Sequence, residues 1–288
     1  MKDDNVSYWQ SLHEKYSGQL RSVGHPELSE EFNELKYRSE TATFIEILKD
    51  VRPELKKHDS LSIMDLGAGA GYWTDLVHAW FDGKGYKTKL TGLDISEHAL
   101  RLIKERSPWV EVIHEDLRTI DTDIFPDTFD LIISCYCFHH LIRINDFINA
   151  LRFASSSLKK SGFLIIIDPV LSKPFSHITS LDYGSQAFNG IPRPLHLLDD
   201  ILFDEGLQRW TIRPAVSFVL NGNIEGNGRI GYALCYTTWQ IMRKIYRSGI
   251  LTKMVSGVIL KIDEVLKNRN LAFSSSVCVY KKMLSPPP

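Results

Sequence analysis

IMDLGAGAGYW, residues 63–73, sets three glycines within five positions directly after a short apolar run. Glycine tolerates left-handed backbone and lets the main chain approach a ligand closely, so such a turn between a strand and a helix reads as a nucleotide cradle. A dinucleotide fingerprint requires the spacing G-x-G-x-x-G at that junction. Here Gly67, Gly69 and Gly71 follow G-x-G-x-G, and Tyr72 stands where the third glycine belongs. A nicotinamide dinucleotide is therefore the weaker reading. Asp94, 23 residues beyond Gly71, closes the next apolar run, where an acid can hold the hydroxyls of an adenosine ribose.

Outward from the turn, strand and helix signals alternate. SETATFIEILKDV (39–51) carries Ala42, Ile45 and Leu48 on one helical face and ends near Pro53. LSIMDL (61–66) is a strand, YWTDLVHAWF (72–81) a helix and KLTGLDI (89–95) a second strand. A helix runs from Ser96, as N-cap, to Arg106, and WVEVIHED (109–116) is a third strand. FDLIISCYCF (129–138) is a fourth strand, its unbroken apolar run marking burial on both faces. NDFINALRFASSSLKK (145–160) is a helix and GFLIIIDP (162–169) a fifth strand. Five strands joined by helical crossovers define an α/β protein with a doubly wound, Rossmann-like sheet. Further on come a helix at 194–207, a sixth strand within 208–220, a long helical stretch to about Lys267 and an alternating strand at 274–282.

Composition narrows the function classes. A net charge of −1 over 288 residues gives no footprint for a nucleic-acid partner. Cys135, Cys137, Cys235 and Cys278 lack disulfide or zinc spacing, so no metal is expected. The polar N-terminus lacks a signal-peptide core, and no run reaches the roughly 18 apolar residues of a membrane span. A cytoplasmic location is expected.

In order, IMDLGAGAG, LTGLDIS, VIHEDLRTI, FDLIISCYCFHHL and LKKSGFLIIIDP resemble the class I S-adenosylmethionine-dependent methyltransferases over about residues 60–210. The resemblance implies a seven-stranded sheet whose last strand is antiparallel, with S-adenosylmethionine as cofactor and S-adenosylhomocysteine as product. It implies that Asp65 organises the loop at the methionyl end and that the backbone at Gly67, Ala68, Gly69 and Gly71 approaches the cofactor. Asp94 with Ile95 would bind the ribose, Glu115, Asp116 and Leu117 would lie at the adenine, and Cys135 would complete the cofactor site. Two features depart from the family: Lys-Ser-Gly replaces a frequent Pro-Gly-Gly turn, and about 50 residues separate the last two strands where a short hairpin is usual.

His139, His140 and Asp168 fall at the carboxyl ends of the fourth and fifth strands, the side of an open α/β sheet that faces ligand. In several small-molecule O-methyltransferases of this family a histidine and an acid at these positions deprotonate the acceptor. A histidine beside a carboxylate suits that task near neutral pH. His140 is preferred by its position, and the two histidines cannot both point the same way on an extended chain. The expected acceptor is a fairly apolar small molecule, most simply a secondary-metabolite hydroxyl. Nitrogen or carbon acceptors, or cofactor binding without methylation, are the alternatives, and a homo-oligomer stays open.

Three units are expected: an N-terminal helical lid (1–58), a Rossmann-like core (59–220 with 272–284) and a helical insertion (221–271). Tyr8, Trp9, Tyr16, Phe32 and Tyr37 supply aromatic character to the lid, and residues 173–194 are a candidate substrate wall. In ILTKMVSGVILKIDEVL the apolar positions 250, 251, 254, 255, 258, 259, 262, 265 and 266 form one helical stripe. Such a stripe most simply packs on the core, and a cover over the acceptor is the preferred role. Subunit pairing and a membrane surface are further options, the mixed charge of Lys253, Lys261, Asp263, Glu264 and Lys267 disfavouring the last.

Overall fold

The apolar run before the glycine turn forms β1 (Leu61–Leu66), which pairs in parallel with both β2 (Thr88–Asp94) and β4 (Phe129–Cys135). This computed structural model describes residues 5–55, 60–171, 190–221, 228–269 and 273–284. With β3 (Glu111–His114), β5 (Leu158–Asp168), β6 (Leu207–Ser217) and β7 (Phe273–Lys282), the strands form a seven-stranded sheet in the order β3-β2-β1-β4-β5-β7-β6. β7 runs antiparallel to β5 and to β6, with Ile166 opposite Cys278 and Ile212 opposite Cys278 on its other side. The fold is thus the expected α/β, Rossmann-like one. Strand order reverses between β1 and β4, and the crevice outside their carboxyl ends is the natural ligand site.

Period-two alternation divides the core between the two faces of the sheet. Ile63, Leu131, Ile133 and Ile165 pack with Phe44, Ile47, Trp73 and Val77 from α2 (Glu30–Val51) and α3 (Tyr72–Asp82). Met64, Leu66, Ile132 and Ile166 pack with Phe147 and Leu151 of α5 (Ile144–Ser157) and with Leu198 and Leu202 further along the chain. A third cluster joins Phe32 and Leu35 to Val216, Trp239, Tyr246 and Ile259. Ser96 caps its helix as expected, whereas α2 begins well before the 39–51 stretch and is capped by Ser29. Ser29 accepts from the Phe32 N–H, and Ser96 accepts from Ala99 at the start of α4 (Glu97–Arg106). The remaining helices are α1 (Asn5–Lys15), α6 (Leu195–Asp204), α7 (Gly228–Tyr246) and α8 (Gly249–Asn268).

Several local expectations are revised. The third strand is shorter than 109–116, and Trp109 lies exposed outside it. The fourth strand stops at Cys135, because Tyr136 adopts a left-handed backbone with φ 55°. A 3-10 turn, Phe138–His140, follows, so the two histidines do not sit on extended chain. The late helical stretch divides in two at Ser248, which caps α8 through the Leu251 N–H. The apolar stripe of α8 packs on the core along one edge only: Ile259 is buried with Val255 and Leu266 packed beside it, whereas Ile250, Leu251, Met254, Val258, Ile262 and Val265 are exposed and the polar Thr252 and Asp263 are buried. A buried carboxylate needs partners, and these hold the helix in that rotation. Asp263 accepts from the Ser39 hydroxyl of α2 and from the Ser217 N–H at 2.7 Å, and Lys267 lies 3.3 Å away.

Candidate active site

β1 delivers the chain to the turn at Gly67, where three left-handed glycines follow, with φ of 73°, 51° and 84° at residues 67, 69 and 71. A Cβ at 67 would stand 2.5 Å from the Cys137 sulfur, and one at 69 would stand 2.6 Å from Val23. Only glycine meets both the conformation and the space. The turn is locked to β2. The Gly67 and Ala68 N–H groups donate to the Leu93 carbonyl at 2.8 and 3.0 Å, and the Gly69 N–H donates to Asp94 Oδ2 at 2.8 Å. The other Asp94 oxygen accepts from the Ser96 N–H at 2.8 Å. Each carboxylate oxygen keeps a further lone pair for a ligand.

Asp65 anchors the first turn of α3 by accepting from the Thr74 hydroxyl at 2.7 Å. Its Oδ1 is buried with no partner, and burial raises the carboxyl to about 7. Asp65 is not among the residues that line the cleft, so it supports the turn from beneath rather than facing a ligand.

The turn opens into a cleft of about 860 Å³, open solvent at its mouth included. Gly67, Ala68 and Gly69 line it, with Asp94, Ile95, Glu115, Asp116, Leu117 and Cys135. Of the glycine turn, Gly71 is set back from the cleft wall and acts as the N-cap of α3. Asp116 also holds Arg118, accepting from its Nε at 2.9 Å and lying 2.7 Å from its Nη2. Trp9 and His13 of α1, with Val23 and Tyr37, close another wall. Residues 173–189 of the candidate substrate wall, including Phe175, His177, Tyr183 and Phe188, lie outside the described residues. No residue of α7 or α8 lines the cleft among the described residues.

His140 lies in the cleft wall, its ring edge-on to Trp9 at 4.7 Å between centroids. Behind it, 3.8 Å between centroids, stands His139, whose Nδ1 is 2.7 Å from Asp168 Oδ1. Gly190 presses on the His139 ring so closely that a Cβ there would meet its Cδ2 at 2.6 Å. Burial disfavours charge on both members of this pair. It pushes His139 down to about 3 and Asp168 up to about 8, although the N–H groups of Phe138 and His139 donate to Asp168. The 3-10 turn thus brings all three candidates together, with only His140 open to the cleft.

Two further groups were not legible in the sequence. His13 is buried beside Asp94 with both ring nitrogens unpartnered, and burial lowers its pKa. Tyr136 donates to Glu40, which also pairs with Lys36 at 2.5 Å, and the Lys36 ammonium lies 3.8 Å over the Tyr136 ring. The i,i+4 spacing of Lys36 and Glu40 in α2 was the available signal, but such pairs ordinarily face solvent.

Residues 63–162 match the family model for a methyltransferase domain. That stretch holds the glycine turn, Asp94 and both histidines, and it spans 100 of the 288 residues. A curated methyltransferase of Alkaliphilus oremlandii, uncharacterised in function, is 26% identical over 140 residues, which is 48% of this chain and 57% of that relative. This chain therefore aligns with little more than half of that relative's length. The fold is shared with a Galdieria sulphuraria protein assigned as a sarcosine dimethylglycine methyltransferase, at TM-score 0.54 and 15% identity over 85% of this chain and 84% of that one. It is also shared with a chain from the complex of the Haloferax volcanii Trm112 methyltransferase activator with a methyltransferase partner, at TM-score 0.51 and 13% identity over 98% and 97% of the two chains. No helix among the described residues is long and apolar enough to cross a membrane.

Proposed function

We propose that this protein transfers a methyl group from S-adenosylmethionine to a hydroxyl of a small, fairly apolar acceptor in the cytoplasm. The observation that carries the reading is that one cleft contains both the glycine turn with Asp94 and the outward-facing His140. Asp94 is suited to the ribose, the 67–69 backbone to close approach, and Ile95, Glu115, Asp116 and Leu117 to the adenine, while Asp65 supports the turn from behind through Thr74. His13, unpartnered beside Asp94, is a further donor for the ribose. When bound, the cofactor supplies a methyl group already activated by its sulfonium. The protein has to align the acceptor and take the hydroxyl proton. His140 is the base in this reading, and the buried His139–Asp168 pair positions its ring from behind. The apolar wall of Trp9, Val23, Tyr37 and Leu141 favours an acceptor with little charge.

Calorimetric titration with S-adenosylhomocysteine, set beside NAD, tests the cofactor half. Saturable binding of the first and none of the second is expected. His13→Phe should weaken that binding by about tenfold, the loss of one hydrogen bond at a buried site. Tight NAD binding instead would overturn the assignment. Incubating the protein with a metabolite extract and labelled methyl donor identifies the acceptor by the gain of one methyl group.

A further inference from the structure

We propose that α7 and α8 seat the protein on an anionic lipid surface. The outward sides of these helices are apolar to an unusual degree: Ile230 is 80% exposed, Leu234 65%, Ile250 76%, Met254 76% and Val258 63%. Ile241 of α7 and Leu251, Ile262 and Val265 of α8 are exposed as well. On α8 the residues 250, 254, 258, 262 and 265 fall on one line at helical spacing, a continuous strip rather than scattered contacts. The helix cannot roll to hide the strip, because the buried Asp263 on its opposite side is fastened to Ser39 of α2 and to the Ser217 N–H of β6.

Charge selects the partner. Residues 228–269 contain eight lysines and arginines against two acids in a chain whose net charge is −1, so the basic character is concentrated in this unit. One of those acids, Asp263, is buried. Glu27 and Glu31 pair with Arg243 and Lys253, while Lys244, Arg247, Lys261 and Arg269 are exposed beside the apolar strip. Apolar side chains rimmed by lysine and arginine are the composition of a helix lying in a bilayer interface, where acyl chains take the former and anionic headgroups the latter. A two-fold contact between copies would set this basic face against itself. Neither helix is apolar enough to span, so the contact is peripheral.

Flotation of the full chain with vesicles tests this without reference to catalysis. Vesicles of phosphatidylcholine and phosphatidylglycerol in equal parts should bind at least about tenfold more protein than phosphatidylcholine alone. Salt near ~1 M should remove most of that difference, since the screening length falls to about 3 Å. Lys244→Glu with Lys261→Glu should lower partitioning about tenfold or more. Met254→Glu with Val258→Glu should do likewise by removing apolar insertion, about tenfold. Unchanged far-UV circular dichroism establishes that the variants fold; should the second pair lose it, Met254→Ser replaces them, with a smaller loss expected. Equal binding to neutral and anionic vesicles, or no flotation, overturns the proposal. So does a lipid-free dimer that Met254→Glu dissociates, which would make the strip a subunit contact.

Discussion

Tyr136 is a bulky residue in left-handed backbone, a conformation that costs of order 1–3 kcal/mol and persists only where surroundings over-determine it. Its N–H is held by the Ile167 carbonyl at 2.7 Å and its hydroxyl by Glu40, and the kink turns the chain from β4 into the His139–His140 turn. The position of the histidines after the fourth strand was readable from the sequence; the kink was not, since nothing in YCFHH marks Tyr136 as left-handed. His140→Ala tests the base assignment: turnover should fall roughly 10²–10⁴-fold with S-adenosylhomocysteine affinity nearly unchanged. Full activity would remove His140 from the mechanism.

α8 makes the same point for a whole element. Its apolar period is genuine, yet the helix is docked by its polar side. Asp263 accepts from Ser39 and Ser217, and Lys267 donates to the Ser39 hydroxyl at 2.8 Å and to Thr43 at 3.2 Å. Periodicity identifies a helix and its stripe but does not say which side faces the core, because that depends on what α2 and β6 offer. Asp263→Ala leaves the buried Ser217 N–H without its acceptor and removes the carboxylate beside the Lys267 ammonium. It should cost about 3–5 kcal/mol, read as a lowered urea midpoint with loss of helical signal. A change under about 1 kcal/mol, the value of an exposed pair, would mean that apolar contacts of Ile259 hold the helix instead.

For the molecule as a whole, buried titratable groups set a pH profile. His25 and His139 are held near 3, against 6.5 when unfolded, so the unfolded chain binds more protons between those values. Stability from these histidines is lost as pH falls below about 6.5. Asp65 and Asp168 are raised to about 7 and about 8 from 3.8, so the folded chain binds more protons in that window. Their contribution is present at low pH and is lost as pH rises through 7 to 8. The two trends offset one another between about 4 and 6.5. The urea midpoint should therefore be higher at pH 6 than at pH 9, and Asp168→Asn should flatten the alkaline fall. A midpoint that rises toward pH 9 would contradict this balance.

The sequence by itself determined the α/β class, the glycine turn at Gly67–Gly71, the acid at Asp94 and the order of strands and helices. These depend on local periodicity, on glycine's backbone freedom and on the short-range rule that joins a strand to its crossover. Only the tertiary structure decided which histidine faces the cleft, that His13 stands unpartnered beside Asp94, and that most of the α8 stripe points outward. Each of these is settled by contacts between residues far apart in the chain, His139 with Asp168, α1 with the glycine turn, and Asp263 with Ser39. Burial and partner choice are properties of the assembled core, and no local pattern carries them.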